Sequence, residues 1–340
     1  MKLSNKFFGA FIASLLISIS SAAYSFTACQ VTDIGGVDDK GFNATAWKGV
    51  QDAVAKHGIG SKLLESKAET DYVPNLNSFV AEGCDVIVSV GFLMGEATAN
   101  AAKENPNSKF AIVDFAYDPT ISNVLGLIYN TDEAAFLAGY LAAGVSKTGI
   151  VGTFGGINIP PVTIFMDGFA AGVNHYNKTK GTNVAVLGWD PVAKEGLFTN
   201  NFSSLDDGRA FAQNLYDEGA DIVMPVAGPV GLGSAALASE LGTDSLKIIG
   251  VDVDQYVLDT KNSSVYLTTV EKGMDATVLG AIEAAKNGTF AGGVYVGTLA
   301  NNGVRIAPYH DQASAVSNGL NNEIQKLKSS IINGFISVKN

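Results

Sequence analysis

From Cys29 onward, strand and helix signals alternate almost without interruption, and no other feature constrains the fold as strongly. Apolar runs at 28–32, 61–65, 85–90, 110–114 and 124–129 read as strands, while segments such as 70–82 and 93–104 carry helical periodicity between them. A helix over 132–147 leads to a second series, with strands near 149–154, 183–188, 221–226 and 247–251 and helices near 160–177, 204–218 and 231–241. Strand 265–270 and helix 273–287 are expected to return to the first series. A strand pair near 294–306 and a last helix near 313–333 follow. Regular βα alternation predicts parallel sheets covered by helices, here an α/β protein of two doubly wound lobes. Residues 26–130 plus 263–292 are expected in lobe 1, and 131–262 plus 293–340 in lobe 2. Several crossings between lobes predict a hinged clamp with its ligand at the interface.

Ahead of this pattern, Lys2 and Lys6 precede the uncharged apolar run Phe7 to Ile19, thirteen residues and too short to span a bilayer core. Small residues follow, and residues 1–25 are read as a secretory signal peptide with cleavage after Ser25; a retained anchor is the alternative. Removing the segment takes two lysines and no acids, leaving 20 basic against 33 acidic residues, a net charge of −13. Nucleic acid is excluded as a partner, because phosphate neutralisation requires clustered Lys and Arg.

The signal also places Cys29 and Cys84 in an oxidising compartment. Cys29 opens the first strand and Cys84 immediately precedes the third. In a sheet of order 2-1-3-4-5 those strands are neighbours, which predicts a disulfide. Lipidation of Cys29 is the competing reading, although Phe26-Thr27-Ala28 matches the usual Leu-Ala-Gly pattern poorly.

Function must be sought at strand ends, since two-lobed enzymes share this outline. Asp33 ends the first strand, Asp38 and Asp39 fill the turn, and Phe42-Asn43 begin a helix. A carboxylate there accepts hydrogen bonds from a base edge or from hydroxyls, and an exposed Phe supplies a stacking face. Helix capping by Asp39 and Asn43, with Phe42 in the core, is the alternative. Asp114 and Asp252 end later strands and Lys272 follows the return strand, a set suited to pentose hydroxyls or to a structural Asp252–Lys272 ion pair.

The segment Val31-Thr32-Asp33-Ile34-Gly35-Gly36-Val37-Asp38-Asp39-Lys40-Gly41-Phe42-Asn43 resembles the opening of the basic membrane protein family, the purine-nucleoside receptors of ABC transporters. Gly250-Val251-Asp252-Val253-Asp254-Gln255 and Val270-Glu271-Lys272 look like further signatures of it, and the resemblance covers nearly the whole mature chain. It implies a type I periplasmic-binding-protein-like clamp, outside the cytoplasmic membrane, that hands a nucleoside to permease subunits as a monomer. In these receptors the matching acid reads the purine and the matching Phe forms one side of an aromatic sandwich, roles implied for Asp33 and Phe42. The other ring is expected from Trp189, which stands where the family often has Phe before Asp-Pro, with Phe198 as second candidate. Gly228 opens a loop resembling the family's Ala-Gly…Gly-x-Gly, and Met166 lies in another family-like block. The expected ligand set is therefore Asp33, Asp38, Phe42, Asn43, Asp114, Met166, Trp189, Gly228, Asp252 and Lys272. Riboflavin and pentoses are alternative ligands within related clamps.

No cofactor or metal is expected. Gly228 to Gly233 reads G-x-x-G-x-G, not the dinucleotide G-x-G-x-x-G, and the acidic turn lacks calcium-loop spacing. His57, His175 and His310 have no ligand-like spacing, and G-x-S-x-G and G-K-[ST] are missing. A receptor rather than an enzyme is the reading, with an exported nucleoside or sugar hydrolase and a sensory receptor as alternatives.

Overall fold

The computed structural model describes residues 26–339, so the expected leader, residues 1–25, lies outside the described residues. The first half of the chain contributes strands β1 (Thr27–Val31), β2 (Gly60–Leu64), β3 (Val86–Val90), β4 (Phe110–Val113), β5 (Val124–Tyr129), β6 (Ile150–Gly155) and β7 (Ala185–Leu187). A short hairpin, β8 (Trp189–Asp190) and β9 (Glu195–Gly196), precedes β10 (Ile222–Val226), β11 (Lys247–Asp252), β12 (Tyr266–Lys272), β13 (Gly293–Gly297) and β14 (Val304–Ile306). The helices are α1 (Phe42–His57), α2 (Tyr72–Ala81), α3 (Gly95–Glu104), α4 (Thr131–Val145), α5 (Pro160–Lys180), α6 (Leu205–Asp217), α7 (Val230–Leu241), α8 (Gln255–Leu258), α9 (Met274–Lys286) and α10 (Asn318–Ile332).

Two six-stranded sheets result, ordered β13-β5-β4-β3-β1-β2 and β14-β12-β11-β10-β6-β7. The first is wholly parallel; the second is parallel except for β14. Their central strands β3, β4, β10 and β11 are buried throughout, as strands covered by helices on both faces must be. The two sheets superpose in plan, so β4 of one lobe and β11 of the other occupy equivalent places.

Two expected assignments are corrected by the pairing. Strand β12, expected in lobe 1, lies parallel to β11 in the second sheet. The expected pair near 294–306 is split: β13 joins β5 in the first sheet, and β14 joins β12 in the second. All seven residues of β12 are buried, so its composition suits the middle of either sheet, and only long-range pairing decides between them. The chain thus passes between lobes at three places, after β5, after β12 and between β13 and β14. Backbone hydrogen bonds tie these crossings together, Asn130 N to the Gly297 carbonyl at 2.8 Å and Gly273 N to the Gly303 carbonyl at 2.9 Å.

Cys29 and Cys84 form a disulfide with Cα atoms 6.1 Å apart, joining β1 to the start of neighbouring β3. Both sulfurs are committed, and Cys29 is fully buried, so the lipidated alternative is not compatible with this fold.

Candidate functional site

At the carboxyl ends of both sheets, where ligands bind in open α/β folds, a cavity partly open to solvent lies between the lobes. Lobe 1 contributes Asp33, Asp39, Phe42, Asn43, Phe92 and Asp114. Lobe 2 contributes Val162, Phe165, Phe202, Gly228, Asp252 and Lys272, with Val226 and Pro229 beside them. Seven of the ten sequence-expected positions therefore come together: Asp33, Phe42, Asn43, Asp114, Gly228, Asp252 and Lys272.

Asp38, Met166 and Trp189 do not line it. Asp38 is exposed on the turn, and Met166 is fully buried in helix packing one position from Phe165, which does face the cavity. Trp189 is buried beneath the hairpin, its Nε1 donating to Asp167 Oδ1 at 3.0 Å and its ring edge-on to Phe198 at 6.0 Å. A large buried ring whose N–H has a side-chain partner is held as core. The lobe 2 rings at the cavity are instead Phe165, next to Met166, and Phe202, which the sequence reading missed. The signal for Phe202 was Gly156: a Cβ there would stand 2.3 Å from the Phe202 ring, so glycine is what lets that ring approach the strand end.

Local structure fixes the polar groups. The Asp39 carboxylate accepts from the backbone N–H of Gly41, Asn43 and Ala44 and from Asn43 Nδ2, capping α1 as the alternative reading foresaw. Burial nonetheless pushes its carboxyl up to about 6. Asn43 Nδ2 also donates to Asp33 Oδ1 at 2.7 Å, and Gly35 N donates to the same oxygen at 2.9 Å. Burial raises the Asp33 carboxyl above the ordinary carboxylate range against those two bonds. Gly91, with φ +122°, leaves room for the other Asp33 oxygen, which a Cβ there would approach to 2.9 Å.

Lys272 Nζ lies 2.6 Å from Asp114 Oδ2 of lobe 1 and 3.3 Å from Asp252 Oδ1 of lobe 2, with all three side chains more than nine-tenths buried. The ion pair is thus larger than the expected Asp252–Lys272 contact and bridges the lobes. Burial would lower the lysine, but the two carboxylates outweigh it and hold its ammonium above the ordinary lysine range. Burial raises Asp114, with Lys272 opposing. Asp114 and Asp252, at equivalent strand ends, both carry left-handed backbone, φ +65° and +72°, a strain of order 1 kcal/mol or more that concentrates at functional sites. The ammonium also sits 5.0 Å from the Phe42 ring centroid and 5.2 Å from that of Phe165. Gln255 of lobe 2 donates to the Lys40 carbonyl of lobe 1 at 3.2 Å, so the lobes are closed upon one another.

A cavity of this kind between two doubly wound lobes, lined by rings and carboxylates, defines a two-lobed solute-binding clamp. A family model described as ABC transporter substrate-binding protein, PnrA-like, matches residues 26–340, and the chain belongs to that family. It is 32% identical over 327 residues to the ABC transporter nucleoside-binding protein BmpA of Lactococcus lactis, covering 92% of this chain and 88% of that one. It is 33% identical over 308 residues to basic membrane protein A of Borreliella burgdorferi, covering 89% and 85%. Among solved structures, an ABC transporter solute-binding protein from Aeropyrum pernix K1 superposes with a TM-score of 0.83 at 24% identity, covering 92% of each chain. The protein is an ABC transporter substrate-binding protein, a class that works outside the cytoplasmic membrane. No described helix is long and apolar enough to cross a membrane.

Proposed function

We propose that this protein captures a nucleoside, a purine nucleoside foremost, between its lobes and delivers it to the permease of an importer from the periplasm or cell surface. The observation that carries the reading is that one cavity is lined by both aromatic rings and carboxylates. Phe42 from lobe 1 and Phe202 from lobe 2 offer faces for a flat base. Asp114 and Asp252 offer acceptors for vicinal ribose hydroxyls, while Lys272 balances their charge and donates to a ring or hydroxyl oxygen. A plain pentose would leave the aromatic walls unused. The printed name of the Lactococcus lactis relative, a nucleoside-binding protein, points the same way.

In this reading the protein returns its ligand unchanged. Mass spectrometry of small molecules released from the purified, denatured protein tests the assignment, with a nucleoside expected. Protein that binds a pentose and none of adenosine, guanosine or inosine overturns it; nucleoside cleaved on incubation overturns the non-catalytic part.

A further inference from the structure

Outside the crossings themselves, two side-chain hydrogen bonds join the lobes among the described residues: Lys272 to Asp114, and Gln255 to the turn between β1 and α1. The second lies apart from the cavity, since neither Gln255 nor Lys40 lines it. Gln255 is buried at the start of α8, and its Nε2 is shared between the Lys40 carbonyl of lobe 1 at 3.2 Å and the Val251 carbonyl of its own lobe at 3.5 Å. A flipped amide would set its oxygen against two carbonyls, so the donor is held toward lobe 1. Gly250 leaves room for this side chain, because a Cβ there would stand 2.8 Å from Gln255 Cγ. On the receiving side Lys40 has left-handed backbone, φ +51°, and an exposed side chain; only its carbonyl is engaged.

With four residues, α8 is too short to hold itself in place. The segment that follows β14 fastens it on both sides of Gln255. His310 Nε2 lies 2.7 Å from Asp254 Oδ2, Tyr256 donates to Asp311 Oδ1 at 3.1 Å, and the His310 and Tyr256 rings stack 4.0 Å apart and 8° from parallel. His310 adopts left-handed backbone there, φ +41°. The strand leading to it, β14, comes directly from the third crossing between lobes.

We propose that Gln255 is a latch, a positioning residue steadied by the Asp254–His310 and Tyr256–Asp311 contacts, which grips the main chain of lobe 1 and sets how long a captured solute stays, not which solute is captured. The inference needs the two-lobed clamp alone, whatever it binds. The bond exists only when the lobes meet, so it stabilises the closed state and nothing else. Its loss therefore speeds opening, and capture by the open clamp is untouched. The acceptor is a backbone carbonyl, which makes the grip independent of the Lys40 side chain. Because both partners stand clear of the cavity, selectivity among ligands does not pass through them.

Single-molecule fluorescence transfer between dyes on Lys67→Cys of lobe 1 and Glu195→Cys of lobe 2, both exposed positions, tests this by reading the lifetime of the closed state without added ligand. In Gln255→Met, which keeps the length of the side chain and removes its donor, that lifetime is expected to shorten by about threefold to tenfold, the weight of one hydrogen bond. His310→Ala should shorten it less, and Lys40→Gly, which suits the left-handed backbone and keeps the carbonyl, should leave it unchanged. Stopped-flow measurements with inosine, adenosine and guanosine form the second arm: release should quicken by the same factor in Gln255→Met, with association rates and the order of the three affinities as in the wild type. An unchanged closed lifetime in Gln255→Met of native circular dichroism overturns the proposal, and so does a changed order of affinities or an effect of Lys40→Gly as large as that of Gln255→Met. If Gln255→Met does not fold, the lifetime in His310→Ala decides. Binding of none of the three nucleosides counts against the nucleoside reading alone, since the closed lifetime still judges the latch.

Discussion

The two lobes share a sheet order and place an aspartate with left-handed backbone at the same strand end, Asp114 after β4 and Asp252 at the end of β11, yet they equip the cleft differently. Lobe 1 brings a hydrogen-bonded group of side chains, Asp33, Asp39 and Asn43, behind Phe42. Lobe 2 brings chiefly apolar side chains and backbone, Val162, Phe165, Phe202 and the Val226 to Pro229 turn, and its charge is confined to Asp252 and Lys272. Beside Lys272 at the end of β12, the equivalent strand β5 ends in Tyr129, whose ring lies 5.9 Å from the ammonium. Lobe 1 therefore brings most of the polar groups of the cleft and lobe 2 most of its apolar cover, and a single cation joins them. The lobes differ below the cleft too, because the disulfide fastens only lobe 1.

Removing the joining cation should have the largest effect. Lys272→Met leaves Asp114 and Asp252 buried without a counter-ion, and stability in urea unfolding is expected to fall by up to about 5 kcal/mol, with ligand binding lost. Stability unchanged within error would mean that the pair is not what holds the closed lobes. Reduction of Cys29–Cys84 comes next. The bond closes a loop over a sequence separation of 55, worth roughly 4 kcal/mol on chain-entropy grounds, and hydrogen exchange should rise in β1 to β5 far more than in β6 to β11. Equal rises in both lobes would show that they do not unfold separately.

The two aromatic walls give a smaller and more equal pair. Phe42→Ala and Phe202→Ala should each weaken nucleoside binding by about 1–3 kcal/mol in calorimetry and preserve the circular dichroism of the fold. A loss with Phe42→Ala alone would make the cover lobe a passive lid. Asp252→Ala is expected to cost about 1–2 kcal/mol with a nucleoside and much less with the free base, because the acceptor then has no ribose donors to lose. Trp189→Phe should have the least effect on binding, removing the indole bond to Asp167 beneath the hairpin and leaving the affinity unchanged. A clear loss of affinity there would return Trp189 to the ligand site.

Much of the site was legible because its residues stand at strand ends, and strand ends are visible as the last polar residue after a β-branched or apolar run. Asp33, Asp114, Asp252 and Lys272 were all found that way. The choice between Trp189 and Phe202 was not legible in this manner. Both are aromatic residues on the irregular stretch between β7 and α6, and what separates them is a hydrogen bond to Asp167 in one case and the room left by Gly156 in the other. Asp38 and Asp39 likewise differ only in whether the turn directs the carboxylate at the helix N-terminus or at solvent.

The sequence alone determined the alternation of strands and helices, the 2-1-3-4-5 order of lobe 1 with its disulfide, and the acids and lysine at the cleft, since these depend on local periodicity and on the chirality rules of βα units. Tertiary structure decided which sheet receives β12 and β13, which ring lines the cleft, and which way the Asn43 amide points. Each of those depends on groups brought together from distant parts of the chain, where pairing and close packing choose among placements that the local sequence leaves equally acceptable.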